Sequence, residues 1–221
     1  MSDYSDPLAF LDANVLAKPV TRTLLIYASN HSDYRITWSQ YVEEEADRNL
    51  RPHQAGTKIA REAAHLDLTP EGKGADQYTG TKAPDRQVLA DAVAAGAAFI
   101  VTEDVDDFSQ SDLIATGIAA VNPDLFLTER ATREGYIEAV MLMSKGMSNP
   151  PRAPAELHAR LGRQHPLTLA KHRSAFDAEP LPATHKPPAI LYRGDRCLRC
   201  LHVGTNVELG ICDDCRTESH S

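Results

Sequence analysis

Along the first 125 residues, short apolar runs alternate with helix-like stretches, and this order constrains the fold more than any other feature of the chain. LAFLDANVL from Leu8, YRITWS from Tyr34, AAFIVTED from Ala97 and IAAVNP from Ile118 read as strands. Between them, residues 22–29, SQYVEEEADRNL from Ser39, residues 54–65 and DRQVLADAVAAGA from Asp85 read as helices, the last ending at Gly96. Alternation of this kind predicts an α/β fold with three layers, a central parallel sheet covered by helices on both faces, over residues 6–130. Further helices are expected at 132–145 and 154–172, forming an extension over 131–173 with the turn-rich SNPPRAP between them. Residues 174–192 hold four prolines, with little periodicity, and read as a linker. At 221 residues and 42% hydrophobic, the chain can bury one good core and carry the small appendage that follows, over 193–221.

The predicted strands end in acids. VTEDVDDF, from Val101, opens like a buried strand and then places four acids within five residues. Like charges that close repel by about 1 kcal/mol per pair even at water's dielectric. In parallel sheets, ligand-binding groups gather at the carboxyl ends of strands. Asp12 follows LAFL and Asp104 follows AFIVT, so both end strands on one edge.

On a helical wheel, the apolar side of SQYVEEEADRNL, set by Tyr41, Val42, Ala46 and Leu50, includes Glu45 and leaves Glu43 and Glu44 outside. In DRQVLADAVAAG, Asp85 lies near the middle of the stripe of Val88, Leu89, Ala92, Val93 and Ala95, whereas Asp91 points away. Each acid also has a plainer reading. Asp85 after Pro84 can cap a helix, Glu45 can edge a solvated acidic face, Asp12 can make an Asx-turn with Asn14, and Asp104, Asp106 and Asp107 can be surface turn residues, the reading preferred for Asp106. Convergence of four separate segments on one edge favours an oxygen-rich site for Mg²⁺ or Mn²⁺, which would neutralise the repulsion.

FLDANVL, WSQYVEEEADRNL and DRQVLADAVAAGAAFIVTEDVDDF, in this order and spacing across residues 8–125, resemble the PIN-domain ribonucleases, in particular toxins of the VapC type. The resemblance implies a PIN-like fold, with Asp12, Glu45, Asp85 and Asp104 as ligands of Mg²⁺ or Mn²⁺. It adds Asp107 as a further acid, and Thr102, in the T-x-D position, as a hydroxyl that orients the acids. The implied activity is endonucleolytic cleavage of RNA leaving a 3′-hydroxyl and a 5′-phosphate. The implied partners are an RNA substrate and a cognate antitoxin protein, with a homodimer also open. Many relatives carry His where Gln87 stands, and most VapC-type toxins lack a cysteine-rich tail. A PIN nuclease joined to a zinc ribbon is also the plan of a ribosome-maturation enzyme, so RNA processing is the alternative activity. A silent PIN adapter is a third reading. A phosphate-receiving regulator would need paired acids at the first strand and a lysine ending the last, which FLDAN and IAAVNP do not supply.

All four cysteines fall in the last 25 residues, as Cys197, Cys200, Cys212 and Cys215. Two C-x-x-C pairs separated by eleven residues predict a tetrahedral Zn²⁺ site in a small ribbon or knuckle. Arg193, Arg196 and Arg199 around it are candidate RNA contacts, the alternative being a surface for another protein or a cap with no partner. The formal charge of −8 is the wrong sign for a protein that merely coats nucleic acid. Substrate-binding cations are therefore sought locally, at Lys18, Arg22 and the basic stretch 152–173. No apolar run approaches the ~18 residues of a membrane span, and MSDYSDPLAF does not read as an export signal, so a cytoplasmic location is expected.

Overall fold

LAFL forms β1, Leu8–Leu11, and the strand stops at Asp12, whose carboxylate accepts the Ala13 N–H and caps a short helix, α1, Ala13–Leu16. The computed structural model describes residues 6–52, 54–148, 150–176, 188–204 and 206–218. Pro19 opens α2, Pro19–Ser29, where a missing N–H costs nothing. β2, Arg35–Thr37, follows; then Ser39 accepts the Val42 N–H to start α3, Gln40–Arg48. After α4, Thr57–Ala63, a long loop leads to α5, Asp85–Ala94, and β3, Phe99–Val101. A 3₁₀ turn at Val105–Asp107 precedes α6, Gln110–Thr116, and β4, Ala119–Val121. Helices α7, Pro123–Arg130, α8, Arg133–Gly146, α9, Pro154–Leu161, and α10, Pro166–Lys171, complete the body. The C-terminal segment contributes β5, Tyr192–Arg193, β6, Val207–Glu208, β7, Ile211–Cys212, and α11, Asp213–Glu218.

The main sheet has the order β2-β1-β3-β4-β5. Its first four strands are parallel, and β5 runs antiparallel at the edge. Every residue of β3 and β4, and residues 9–11 of β1, are fully buried, as expected of parallel strands covered on both faces. Strand order reverses between β1 and β3: β2 lies on one side of β1, and the next strand in sequence returns to its other side. A crevice at the carboxyl ends of β1 and β3 is the place such a sheet offers a ligand.

The mixed α/β class and the strands at 8, 35, 99 and 119 agree with the sequence reading. Helices α6, α7 and α11 have no counterpart in it, each being too brief to set a period, and α1 turns the second half of LAFLDANVL, read as strand, into a helical turn because the Asp12 side chain caps it. The helix expected over 154–172 is two, because Pro166 lacks the N–H that a continuous helix needs and α10 starts there instead. Asp124 secures the break, accepting the Leu167 and Thr168 N–H groups at 2.9 and 2.8 Å. The proline-rich segment expected as a linker over 174–192 falls mostly on 177–187, outside the described residues. Among the described residues, no helix is long and apolar enough to cross a membrane.

Candidate active site and metal centre

Asp12 follows β1 at the strand-order reversal, with 4% of its surface exposed. Its Oδ1 accepts the Ala13 N–H at 2.6 Å, and its Oδ2 accepts the Thr102 hydroxyl at 2.7 Å. Thr102, the first residue after β3, in turn receives the Asn14 side-chain amide at 3.0 Å and the Asp104 N–H at 3.1 Å. Asn14 also donates to Asp104 Oδ2 at 3.1 Å and accepts the Glu103 N–H at 3.1 Å. One hydroxyl and one amide group therefore tie together the acids that end β1 and follow β3. Asn14 is the organiser that the sequence pattern hides: in the sequence it reads only as the partner of an Asx-turn. Its place two residues after a strand-ending Asp, on the first turn of a helix, is the signal that could have found it.

Burial drives the Asp12 carboxyl up to about 7, the Thr102 hydrogen bond opposes this, and repulsion from Asp85 and Glu45 adds to it. Asp85, the first residue of α5 and half-buried, is raised to about 6 by burial and by the charges of Asp107, Glu45 and Asp104, with Lys82 working against them. Asp12, Glu45, Asp85, Asp104 and Asp107 thus share one field, although they come from four segments. Asp107 lies on the exposed rim in a close ion pair with Lys82. Lys18 pairs with Glu103, the neighbour of Asp104, at 2.9 Å.

Several assignments change. Arg22 is 2% exposed and donates to the Leu16 carbonyl at 2.8 Å and the Ala55 carbonyl at 3.0 Å, so it braces α2 against the neighbouring loop and does not face a ligand. Glu43, placed outside by the wheel, is buried and paired with Arg61 at 3.0 Å. Asp91, expected to point away, is fully buried and accepts the Gly72 N–H at 2.7 Å and the Gln87 amide at 2.6 Å, along with the Ser39 hydroxyl. Val93 is the member of the expected stripe that is exposed. The buried face of α5 is rotated toward Asp91 because that carboxylate ties the 67–82 loop and the start of α3 to the helix. Gln87 serves the same loop through the Gly72 carbonyl at 2.9 Å. In the basic stretch, Arg152 and Arg160 both pair with Glu156, and Lys171 holds the Thr128 and Ala131 carbonyls.

The four cysteines converge. Their sulfurs all lie within 4.8 Å of one another, close to the ~3.8 Å edge of a tetrahedron with ~2.3 Å metal–sulfur bonds, so they can hold a metal ion such as zinc. Among the described residues, they are the one group of three or more His, Cys, Asp or Glu side chains gathered this tightly; the acids of the crevice are not. Amide N–H groups of Arg199 and Cys212 point at Cys197 Sγ, each at 3.4 Å, as donors that favour a thiolate. Burial raises the Cys197 thiol, but these amides and that of Cys200 outweigh it and bring it to about 7. Arg193, Arg196 and Arg199, candidates for RNA contact or for a protein surface, bond the body: Arg193 the Asp106 and Phe108 carbonyls, Arg196 the Gly117 carbonyl, and Arg199 Glu129.

Comparison with protein-family models, curated proteins and solved structures gives no match.

Proposed function

We propose that this chain is a Mg²⁺- or Mn²⁺-dependent endoribonuclease of the PIN type, acting as the toxin of a toxin–antitoxin pair. The observation that carries the reading is Asp12: a carboxyl buried at the strand-order reversal, held near pH 7 by its surroundings and by the charges of Asp85 and Glu45. A fold seldom keeps an unpaired buried acid among other acids unless a cation relieves it. The toxin assignment rests on the motifs FLDANVL and VTEDVDDF and their spacing.

In this reading Asp12, Glu45, Asp85 and Asp104 hold the cation. Bound there, a divalent ion supplies Lewis acidity toward the phosphodiester and a water of lowered pKa. Thr102 and Asn14 hold Asp12 and Asp104 in one hydrogen-bonded network, from which their carboxylates would close on the ion as it enters. Asp12 and Asp85 lose their protons on binding, which makes affinity rise with pH through the range about 6 to about 7. Lys18 and Lys82, paired with Glu103 and Asp107, can meet the phosphates of a strand entering the crevice.

The test is cleavage of a single-stranded RNA by the purified chain with added Mn²⁺, compared with Asp104→Asn. Metal-dependent products with 3′-hydroxyl and 5′-phosphate ends, lost in the variant, support the reading. Absence of cleavage by the parent under any divalent ion, or equal cleavage by the variant, refutes it. For the toxin role, expression of the parent should arrest growth and Asp104→Asn should relieve the arrest.

A further inference from the structure

The cysteine module is built onto the acidic edge of the body. β5 adds to β4 with Ala120 opposite Arg193 and Val121 opposite Tyr192. From there, Arg193 Nη1 donates to the Asp106 carbonyl at 3.1 Å and the Phe108 carbonyl at 2.8 Å. The Gln110 side chain clasps the next residue, donating to the Gly194 carbonyl and accepting its N–H, both at 3.0 Å. The gripped segment is the 3₁₀ turn Val105–Asp107 and its exit, which directly follows Asp104 and contains Asp107.

The grip depends on close docking. Gly194 sits at φ +131°, and a Cβ there would come within 2.7 Å of the Ala119 side chain, so only glycine lets β5 lie this near β4. Three residues later comes Cys197. Leu198 is fully buried and, with Ile211, joins the core of the body. Arg130 holds the Leu198 and Arg199 carbonyls at 3.3 and 3.2 Å, and the Tyr192 hydroxyl donates to the Arg196 carbonyl at 2.6 Å. What arranges these groups is the local fold of 195–204 and 206–218: two two-residue strands and one six-residue helix among the described residues. So small a unit has too little core to fold by itself and needs its metal.

We propose that Zn²⁺ at Cys197, Cys200, Cys212 and Cys215 sets the position of Asp104 and Asp107 through β5 and Arg193, making the Cys₄ centre a metal-operated positioning device for the acidic crevice and Arg193 a positioning residue. Its consequence for cleavage rests on the nuclease reading above; the ordering of the turn does not. If the module served only to cover the sheet edge, the turn would be indifferent to the metal.

Hydrogen–deuterium exchange on the full chain decides this, comparing zinc-loaded protein, zinc-stripped reduced protein, and zinc-loaded Arg193→Ala. The Asp107 N–H bonds the Asp104 carbonyl and the Phe108 N–H the Val105 carbonyl, and these amides report on the turn. Zinc removal and Arg193→Ala should each speed their exchange by ~10-fold or more, while β1 and α2 stay protected. Zinc removal that frees 195–217 alone and leaves the turn protected overturns the proposal, as does an unchanged turn in Arg193→Ala. Should stripped protein lose protection everywhere, zinc-loaded Arg193→Ala decides, and if that variant does not fold, Gln110→Ala takes its place with the same two outcomes. In the cleavage assay, Arg193→Ala should need more Mn²⁺ for half-maximal activity and recover at high Mn²⁺, a rescue that a merely unstable protein would not show. If no form cleaves RNA or takes up Mn²⁺, the nuclease reading fails and the exchange result still judges the metal-operated turn.

Discussion

Replacing Asp12 by Asn should stabilise the protein at pH 8 in the absence of divalent cations, and the size of the effect follows from the burial of that carboxyl. An acid raised from 3.8 to about 7 in the folded state favours folding when protonated. Its penalty begins as pH rises above the unfolded value near 4 and is complete above about 7. A shift of this size corresponds to about 4 kcal/mol. Asn avoids the charge but keeps only one acceptor for the two donors, Ala13 N–H and Thr102 O–H. The Thr102 oxygen already receives Asn14 and the Asp104 amide, so its hydroxyl hydrogen is left without an acceptor, costing about 1–2 kcal/mol. The net gain is about 2 kcal/mol, or ~4–8 °C in Tm for a chain of this size.

The assay is thermal unfolding followed by the single tryptophan, the buried Trp38, on protein loaded with zinc at the cysteines and freed of unbound divalent ions by gel filtration, at pH 5 and pH 8. At pH 5 the penalty has reached only about 1.6 kcal/mol, which the lost acceptor offsets, so the gain should vanish. Added Mn²⁺ should then raise the Tm of the parent at pH 8 and leave the variant unmoved. Equal destabilisation by Asp12→Asn at both pH values would refute the argument that an unrelieved charge sits at the end of β1.

Other substitutions separate structural from site roles. Asp91→Ala should lower stability by about 3 kcal/mol in urea unfolding, because Ser39, Gly72 and Gln87 all lose their buried acceptor. Arg22→Lys should lower it by about 2 kcal/mol, since an ammonium cannot span the Leu16 and Ala55 carbonyls, whereas exposed Lys18→Ala should stay within about 0.5 kcal/mol. Burial depresses His165 and His172 to about 4, so both are neutral in the folded chain. Stability from them is complete above the unfolded value of 6.5 and is lost as pH falls from there toward 4. His165→Gln should flatten that part of the urea-midpoint profile relative to the parent.

Much of this was legible in the sequence because local pattern and burial agree there. Strands buried on both faces are continuous apolar runs, and LAFL, AFIV and IAAV could be read from composition alone. Asp12 stands out against such a run because it directly ends β1, whereas Asp104 lies three residues beyond β3 and is exposed. The wheel failed for Glu43 and Asp91, since a charged residue can be buried when another segment supplies donors, and those donors, Arg61, Ser39 and the Gly72 amide, are distant in sequence. The same holds for Arg22, whose acceptors are backbone carbonyls that no side-chain pattern reveals. The clustering of the four cysteines was plain from spacing. That their arginines grip the body was not, because a two-residue edge strand leaves no periodic trace.

Anomalous diffraction at the manganese edge, from crystals of zinc-loaded protein soaked in Mn²⁺, tests the central claim most directly. A peak in the crevice bounded by Asp12, Glu45, Asp85 and Asp104, with carboxylate oxygens closed around it, is the predicted result. Density for manganese elsewhere only, with these four acids still apart at saturating ion, would contradict it.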